Sequence, residues 1–269
     1  MPKSPILSVL GLTALLVTAC SPRELNDAKA MVRQQKFYNA IELYMSFANQ
    51  NPTHRRAPEA LFEAGNIQQM ILNEQEKAIS TFRTLVGNYP VSEYTLKAQR
   101  RVAEIQKNYF ANYAQSIIEY EKLLRADPQN AEAPSYQFEI AQCYTLLHNY
   151  DQAAIEYQTL VNQYPKDERL DEVYFQMGNN AYINGKYTEA ISAYEILIQR
   201  FPKSPLLPQA RFGIGNSYEE MNEFAKARAE YQAVLNNYPS PKVVGIRLQA
   251  LAERERKKSQ LAPGSHLRH

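Results

Sequence analysis

Six segments of the chain end in a proline, and these prolines recur at an almost constant spacing. They are Pro52, Pro90, Pro128, Pro165, Pro202 and Pro239, separated by 38, 38, 37, 37 and 37 residues. Twelve residues before each proline stands a small residue: Ala40, Ala78, Ser116, Ala153, Ala190 or Ala227. Eight residues before each stands an aromatic ring: Tyr44, Phe82, Tyr120, Tyr157, Tyr194 or Tyr231. Such a period indicates stacked repeats, because one unit cannot bury its apolar face alone.

Each proline-terminated segment is predicted to be an amphipathic helix. Positions such as Ala190, Tyr194 and Leu197, four and then three residues apart, share one helical face. The proline ends the helix and biases the residue before it away from the α region. A second helix is predicted upstream, where a small residue recurs twelve or thirteen positions earlier, at Ala28, Gly65, Ala103, Ala141, Gly178 and Gly215.

These helix-turn-helix units resemble the tetratricopeptide repeat. "MGNNAYINGKYTEAISAYEILIQRFP", residues 177–202, has the Gly, Ala, aromatic and Pro of that signature at the expected positions. The resemblance implies an all-α, right-handed superhelical solenoid with a concave groove. Six repeats are predicted, at about 23–52, 56–90, 92–128, 131–165, 168–202 and 205–239, so the first helix should begin near Arg23.

The segment after the last repeat is predicted to be a capping helix. Ser240 suits an N-cap and Pro241 the first helical position, and the helix is expected to cover the last hairpin over residues 240–258. Residues 259–269 are expected to form a disordered tail.

The start of the chain has the pattern of a bacterial lipoprotein signal. Residues 6–19 carry no charge, and they are too few for a bilayer-spanning helix. "VTAC", residues 17–20, fits the lipobox, so residues 1–19 are predicted to be removed and Cys20 to carry lipid. Ser21 is not the aspartate that retains enteric lipoproteins in the inner membrane, and that resemblance implies the periplasmic face of the outer membrane. An ordinary secretory signal or a short anchor helix is the alternative.

Composition argues against several classes of function. A formal net charge of +2, with Lys and Arg spread along the chain, favours no nucleic-acid partner. Once Cys20 is acylated only Cys143 remains, which excludes an intrachain disulfide and favours a buried thiol. The four histidines are scattered, and no metal-ligand spacing or catalytic motif is present. The prediction is therefore no enzyme and no cofactor besides the covalent lipid, with the carboxylates mostly on solvated faces.

The remaining candidates for function are surface side chains. The resemblance places the residue after the glycine of the first helix towards the groove, where an asparagine can pair with a peptide backbone. These asparagines are Asn66, Asn179 and Asn216. Tyrosines on the same helices suit a wet interface, namely Tyr136, Tyr144, Tyr174, Tyr182 and Tyr218. Bonds to the neighbouring helix and packing between helices are the structural alternatives.

The predicted capping helix is rich in cations. Arg247, Arg254, Lys257 and Lys258 are candidates for docking an acidic partner domain. A solvated end with cations that complement the helix dipole explains them equally well.

A tetratricopeptide array behind a lipobox resembles the BamD-type lipoproteins of the β-barrel assembly machinery. "NYPVSEYTLKAQRRVAEI", residues 88–105, carries the "YP-x-S-x-Y" linker of that family. The resemblance implies a periplasmic scaffold that binds other envelope proteins, above all β-barrel assembly subunits, and meets the membrane through its lipid only.

Two other envelope proteins remain as alternatives. A pilotin-like lipoprotein, which assists a pilus secretin, also carries six such repeats. A Tol-Pal-associated coordinator shares the period and the linkers, although that family has an N-terminal coiled coil that this chain lacks.

Overall fold

The computed structural model of the protein describes residues 23–261, which form helices joined by short turns and loops. Thirteen α-helices and one π-helix form these residues, and no strand is present among them. The helices are α1 (Arg23–Arg33), α2 (Phe37–Gln50), α3 (Ala57–Asn66), a π-helix (Ile67–Ile71), α4 (Gln75–Asn88), α5 (Glu93–Asn108), α6 (Tyr113–Ala126), α7 (Ala133–Leu146), α8 (Tyr150–Gln163), α9 (Leu170–Ile183), α10 (Tyr187–Arg200), α11 (Leu207–Glu220), α12 (Phe224–Val234) and α13 (Pro241–Leu261).

The chain divides into two compact units, residues 1–95 and 96–269. Within each unit, helices that follow one another along the chain pack together, and α9 also touches α11. Two helices lie within each of the six predicted repeats, and α13 follows them. The predicted fold class, all-α tetratricopeptide hairpins with a final capping helix, is confirmed.

The two helices of each hairpin are joined through one residue in the left-handed backbone region. These residues are Gln35, Asn73, Ala111, His148, Gly185 and Asn222, with φ between 49° and 73°. In the fifth hairpin the Lys186 N–H then donates to the Ala181 carbonyl at 2.9 Å, which satisfies an end group of α9. Only Gly185 adopts this conformation without a steric cost, so five turns are held by the packing around them.

The repeating aromatic ring is the centre of each hairpin's packing. Tyr194 on α10 is 2% exposed and lies against the backbone of Gly178 on α9. A Cβ atom at residue 178 would approach Tyr194 Cε1 to 2.4 Å, and one at Gly213 on α11 would approach Cζ to 2.6 Å. The ring therefore sits between the first helices of two successive repeats, and only glycine allows this separation.

The second repeat holds one residue more than the standard hairpin. Thirteen residues separate Gly65 from Ala78, whereas twelve separate Gly178 from Ala190. The π-helix Ile67–Ile71 absorbs the additional residue, as its Leu72 N–H donates to the Ile67 carbonyl at 3.0 Å. The same spacing separates Ala103 from Ser116 in the third repeat, where α5 is an uninterrupted α-helix, so the spacing alone does not predict a π-helix.

The capping helix begins at Pro241, as predicted, but runs further than residue 258. It continues to Leu261, so the predicted tail of residues 259–269 starts too early. The reason is that nothing between Lys258 and Pro263 breaks a helix. Val244 and Leu251 are fully buried in the core cluster of α12 and α13.

We predict that Gly178→Ala lowers the free energy of unfolding by about 1–3 kcal/mol, because the new methyl group overlaps the Tyr194 ring. Urea unfolding followed by circular dichroism measures the change. Gly87→Ala is the matched control, since a Cβ there meets no atom within 4 Å in α4. The control should gain about 0.5–1 kcal/mol. Equal effects at both positions would contradict the packing argument.

Candidate functional site

Two of the predicted asparagines are held in place by the core tyrosines. The Tyr194 hydroxyl donates to Asn179 Oδ1 at 2.7 Å, and the Tyr231 hydroxyl donates to Asn216 Oδ1 at 2.8 Å. Asn179 Nδ2 also donates to Gln176 Oε1 at 3.3 Å. Both asparagines are half-buried on the first helix of their hairpin. The side-chain oxygens of Asn179 and Asn216 thus bond to the neighbouring helix, which was the structural alternative to peptide binding. The same bonds orient the two amide groups.

The third asparagine, Asn66, has a different environment because its repeat carries a phenylalanine. Phe82 has no hydroxyl group, and Asn66 Oδ1 is buried without a hydrogen-bond partner among the described residues. Gln69 Oε1, one turn further on, is in the same state. A buried acceptor left unpaired costs about 1–3 kcal/mol, and the packing of the described residues covers both oxygens. Burial and the neighbouring Glu59 raise the pKa of Glu63, which precedes Asn66 by one turn.

Two of the five predicted tyrosines belong to the core. Tyr136 is 4% exposed and donates its hydroxyl to Glu132 Oε2 at 2.6 Å. Tyr174 is 6% exposed, and its hydroxyl accepts from Arg200 Nη1 at 2.8 Å. Burial removes both rings from any partner, so the structure corrects the prediction that Tyr136 and Tyr174 face a groove. Helical position alone did not show which neighbour would cover them.

The other three predicted tyrosines are half-buried. Tyr144 packs against two core clusters of the second unit. The Tyr182 ring lies 5.6 Å from the Tyr187 ring, and Lys226 Nζ lies 5.1 Å from the centre of the Tyr218 ring. Burial raises the pKa of Tyr144 and of Tyr182, so both hydroxyls stay protonated near neutral pH and can donate hydrogen bonds. Part of each ring remains available to a partner.

Several carboxylates that the sequence predicted to be solvated form hydrogen bonds between helices. In three repeats a glutamate directly before the core ring accepts a hydrogen bond from the first helix of its hairpin. The pairs are Gln99 with Glu119, Gln137 with Glu156 at 2.6 Å, and Arg211 with Glu230 at 3.1 Å. A glutamate recurs directly before the ring in these three repeats, and this recurrence could have indicated the contact between helices. The periodicity of apolar residues carries no information on it.

The cations of α13 are partly engaged within the chain. Arg254 Nη1 donates to Glu219 Oε1 at 2.8 Å, and Glu219 is 3% exposed. The other oxygen of Glu219 also lies 2.8 Å from the Tyr231 hydroxyl, whose single proton is shared between this oxygen and Asn216 Oδ1. Arg247 lies 4.0 Å from the same carboxylate, and Lys258 Nζ lies 5.1 Å from the Phe224 ring centre. Arg254 and Lys258 therefore fasten the cap, while Lys257 is exposed.

The predicted lipid-attachment residue, Cys20, lies outside the described residues. Cys143 is a free, buried thiol, and burial raises its pKa, which lowers its reactivity at neutral pH. Over residues 23–261, no helix is both long and apolar enough to cross a bilayer. Within the same range, no group of three His, Cys, Asp or Glu residues is placed to hold a metal ion.

The hairpins and their glycine-packed rings form a tetratricopeptide-repeat fold. Two family models match parts of the sequence. The tetratricopeptide repeat model matches residues 109–168 and 175–241, and a model described as "Outer membrane lipoprotein" matches residues 21–131. Among curated proteins, none matches the chain significantly.

Solved structures share the fold at low sequence identity. A tetratricopeptide repeat protein from Parabacteroides merdae is 17% identical with a TM-score of 0.57, covering 88% of each chain. PilW, a type IV pilus biogenesis factor, is 14% identical with a TM-score of 0.52, covering 85% of this chain and 96% of PilW. YrrB, a repeat protein with an unusual peptide-binding site, is 17% identical with a TM-score of 0.54, covering 80% of this chain and 99% of YrrB. These likenesses establish the fold alone.

We predict that Arg254→Ala lowers the free energy of unfolding by about 1–2 kcal/mol, because it removes the close cation at 2.8 Å from the buried Glu219 carboxylate and leaves only Arg247, 4.0 Å away. Chemical unfolding measures the loss. Lys257→Ala, an exposed cation three residues along the same helix, should change stability by less than about 0.5 kcal/mol. If both variants unfold like the parent protein, Arg254 does not fasten the cap.

Proposed function

We propose that the protein is a lipid-anchored scaffold at the periplasmic face of the outer membrane, where it binds partner proteins in outer-membrane protein assembly. The observation that carries the proposal is the match of the outer-membrane lipoprotein model to residues 21–131, which begins directly after Cys20. The scaffold acts by binding alone, without catalysis and without a cofactor besides the lipid.

The anchor is the acylated Cys20 of the lipobox. Each buried methylene of an acyl chain contributes about 0.8 kcal/mol, and two or more chains give stable attachment. Such an anchor would hold the protein at the membrane without a spanning helix. Ser21 supports sorting to the outer membrane.

Partner binding is assigned to the half-buried amides and tyrosines of the first helices. Asn179 and Asn216 are oriented by core tyrosines, and the half-buried Asn66 occupies the same place in the second repeat. An extended peptide supplies the alternating donors and acceptors that such side chains pair with. YrrB, with the same fold, is described as having a peptide-binding site, which fits this use of the repeat surface. The partners are envelope proteins, in the first place β-barrel assembly subunits as for BamD-type lipoproteins.

A pull-down from detergent-solubilised envelopes separates this function from its alternatives. Capture of β-barrel assembly subunits supports the proposal. Capture of a secretin instead indicates a pilotin-like role, and capture of Pal a Tol-Pal-associated role. The likeness to PilW does not decide between them, because it concerns the fold alone.

We predict that Cys20→Ala moves the protein from the membrane fraction to the soluble fraction, because the acyl chains then have no attachment site. The thermal unfolding midpoint should be unchanged, since the described fold begins three residues later. Fractionation followed by immunoblotting measures the distribution. Co-sedimentation of the variant with membranes would count against lipid anchoring.

We predict that Asn179→Ala combined with Asn216→Ala weakens partner capture, because both amides lose their contact with the peptide. The midpoint of thermal unfolding should stay within a few degrees, as each lost hydrogen bond contributes about 1 kcal/mol. Tyr194→Phe separates contact from orientation, since it keeps the Asn179 amide but removes the bond that orients it, and should weaken capture less than the double variant. If the double variant captures partners as well as the parent protein, the amides serve only the fold.

A further inference from the structure

Only a short stretch of chain separates Cys20, the proposed site of the lipid, from the first helix. The lipid belongs to Cys20, and α1 begins at Arg23. Three residues of fully extended chain span at most about 11 Å. The start of α1 is therefore confined to the vicinity of the lipid headgroups, whatever path residues 20–22 take.

The start of α1 lies at one end of the helical hairpins of the first unit, residues 1–95. Three residues join α1 to α2, so the two helices run in opposite directions, and the loop 51–56 returns to the end at which α1 begins. Lys29 on α1 lies 3.4 Å from Glu59 in the first turn of α3, which places that loop beside α1. We call this end, formed by Arg23, loop 51–56 and loop 89–92, the loop edge.

The next loop, 89–92, reaches the same edge. It follows α4, which runs back from the turn after the π-helix. The Tyr94 ring, just after this loop, lies 5.5 Å from the Phe62 ring on α3. Successive loops of the first unit thus lie side by side at the loop edge.

The loop edge exposes two arginines, Arg23 and Arg55, and the apolar Val91, together with Pro52, Thr53 and Pro90. The Arg23 side chain is 94% exposed and is 3.8 Å from Asp27, a weak exposed pair. Arg55 is exposed and forms no ion pair with any described residue, whereas its neighbour Arg56 is held by Glu59 at 2.7 Å. Val91 is 98% exposed between Pro90 and Ser92. Guanidinium groups bind lipid phosphates, and a fully exposed valine gains from insertion at the headgroup boundary.

We propose that the loop edge of the first unit lies on the bilayer, with Arg55 at the lipid phosphates and Val91 at the headgroup boundary. The inference rests on the proposed anchor at Cys20 and adds an orientation to it. The opposite end of the hairpins, at Met70, points away from the membrane. Thirteen helical residues from Ala57 to Met70 place the two ends about 20 Å apart.

The chain contains no tryptophan, so a single introduced tryptophan reports its own surroundings. Val91→Trp is the test variant and Met70→Trp the matched control, because both replace an exposed apolar side chain, 98% and 67% exposed. The lipidated full-length proteins are reconstituted into vesicles of phosphatidylethanolamine and phosphatidylglycerol that carry a headgroup-labelled quencher lipid. We expect Val91→Trp to lose most of its emission and to shift to the blue, while Met70→Trp keeps both.

The outcomes separate this inference from the anchor. A protein that floats with the vesicles but shows equal or reversed quenching overturns the orientation and leaves the anchor intact. A protein that does not float overturns the anchor and the orientation together. In the Val91→Trp background, Arg55→Glu should reduce quenching, whereas Arg33→Glu at the far end of α1 should not. Unchanged quenching in Arg55→Glu overturns the role of Arg55.

Discussion

The wedge of an aromatic ring against a glycine or alanine backbone is the contact on which the hairpins depend. Tyr194 between Gly178 and Gly213 shows how it works, because the ring sets the separation of α9, α10 and α11 at once. Its hydroxyl reaches past the backbone and bonds to Asn179. One side chain therefore supplies both the core contact and the orientation of a candidate binding group.

The same constraint explains how the repeats differ. Where the ring is Phe82, the hydroxyl is missing, and Asn66 is left with an unpaired buried oxygen beside a π-helix. In the last repeat, Tyr231 contacts both Asn216 and the buried carboxylate of Glu219, which also accepts from Arg254 of the capping helix. A change at one position of the repeat thus alters its polar surface and not its architecture.

These features suit a protein that works by binding while it is held at a membrane. The rigid hairpins keep the amides of the first helices in fixed positions, which limits the entropy lost on binding. The short link to Cys20 would present that surface at a defined height above the bilayer. The sequence suggested that the cations of the cap are free to bind an acidic partner. Arg254, which already binds Glu219, is less available for this.

The sequence by itself determined the repeat period, the two helices of each hairpin, the start of α13 at Pro241 and the ring position, because helix periodicity and proline act locally. It also marked Asn179 and Asn216 as candidate site residues. Only the tertiary structure decided that Tyr136 and Tyr174 are buried, that Glu219 pairs with Arg254, and that Asn66 lacks a donor. A pattern shows which face a residue occupies on its own helix. What covers that face depends on a helix that can lie more than thirty residues away, and this is settled only when the hairpins stack.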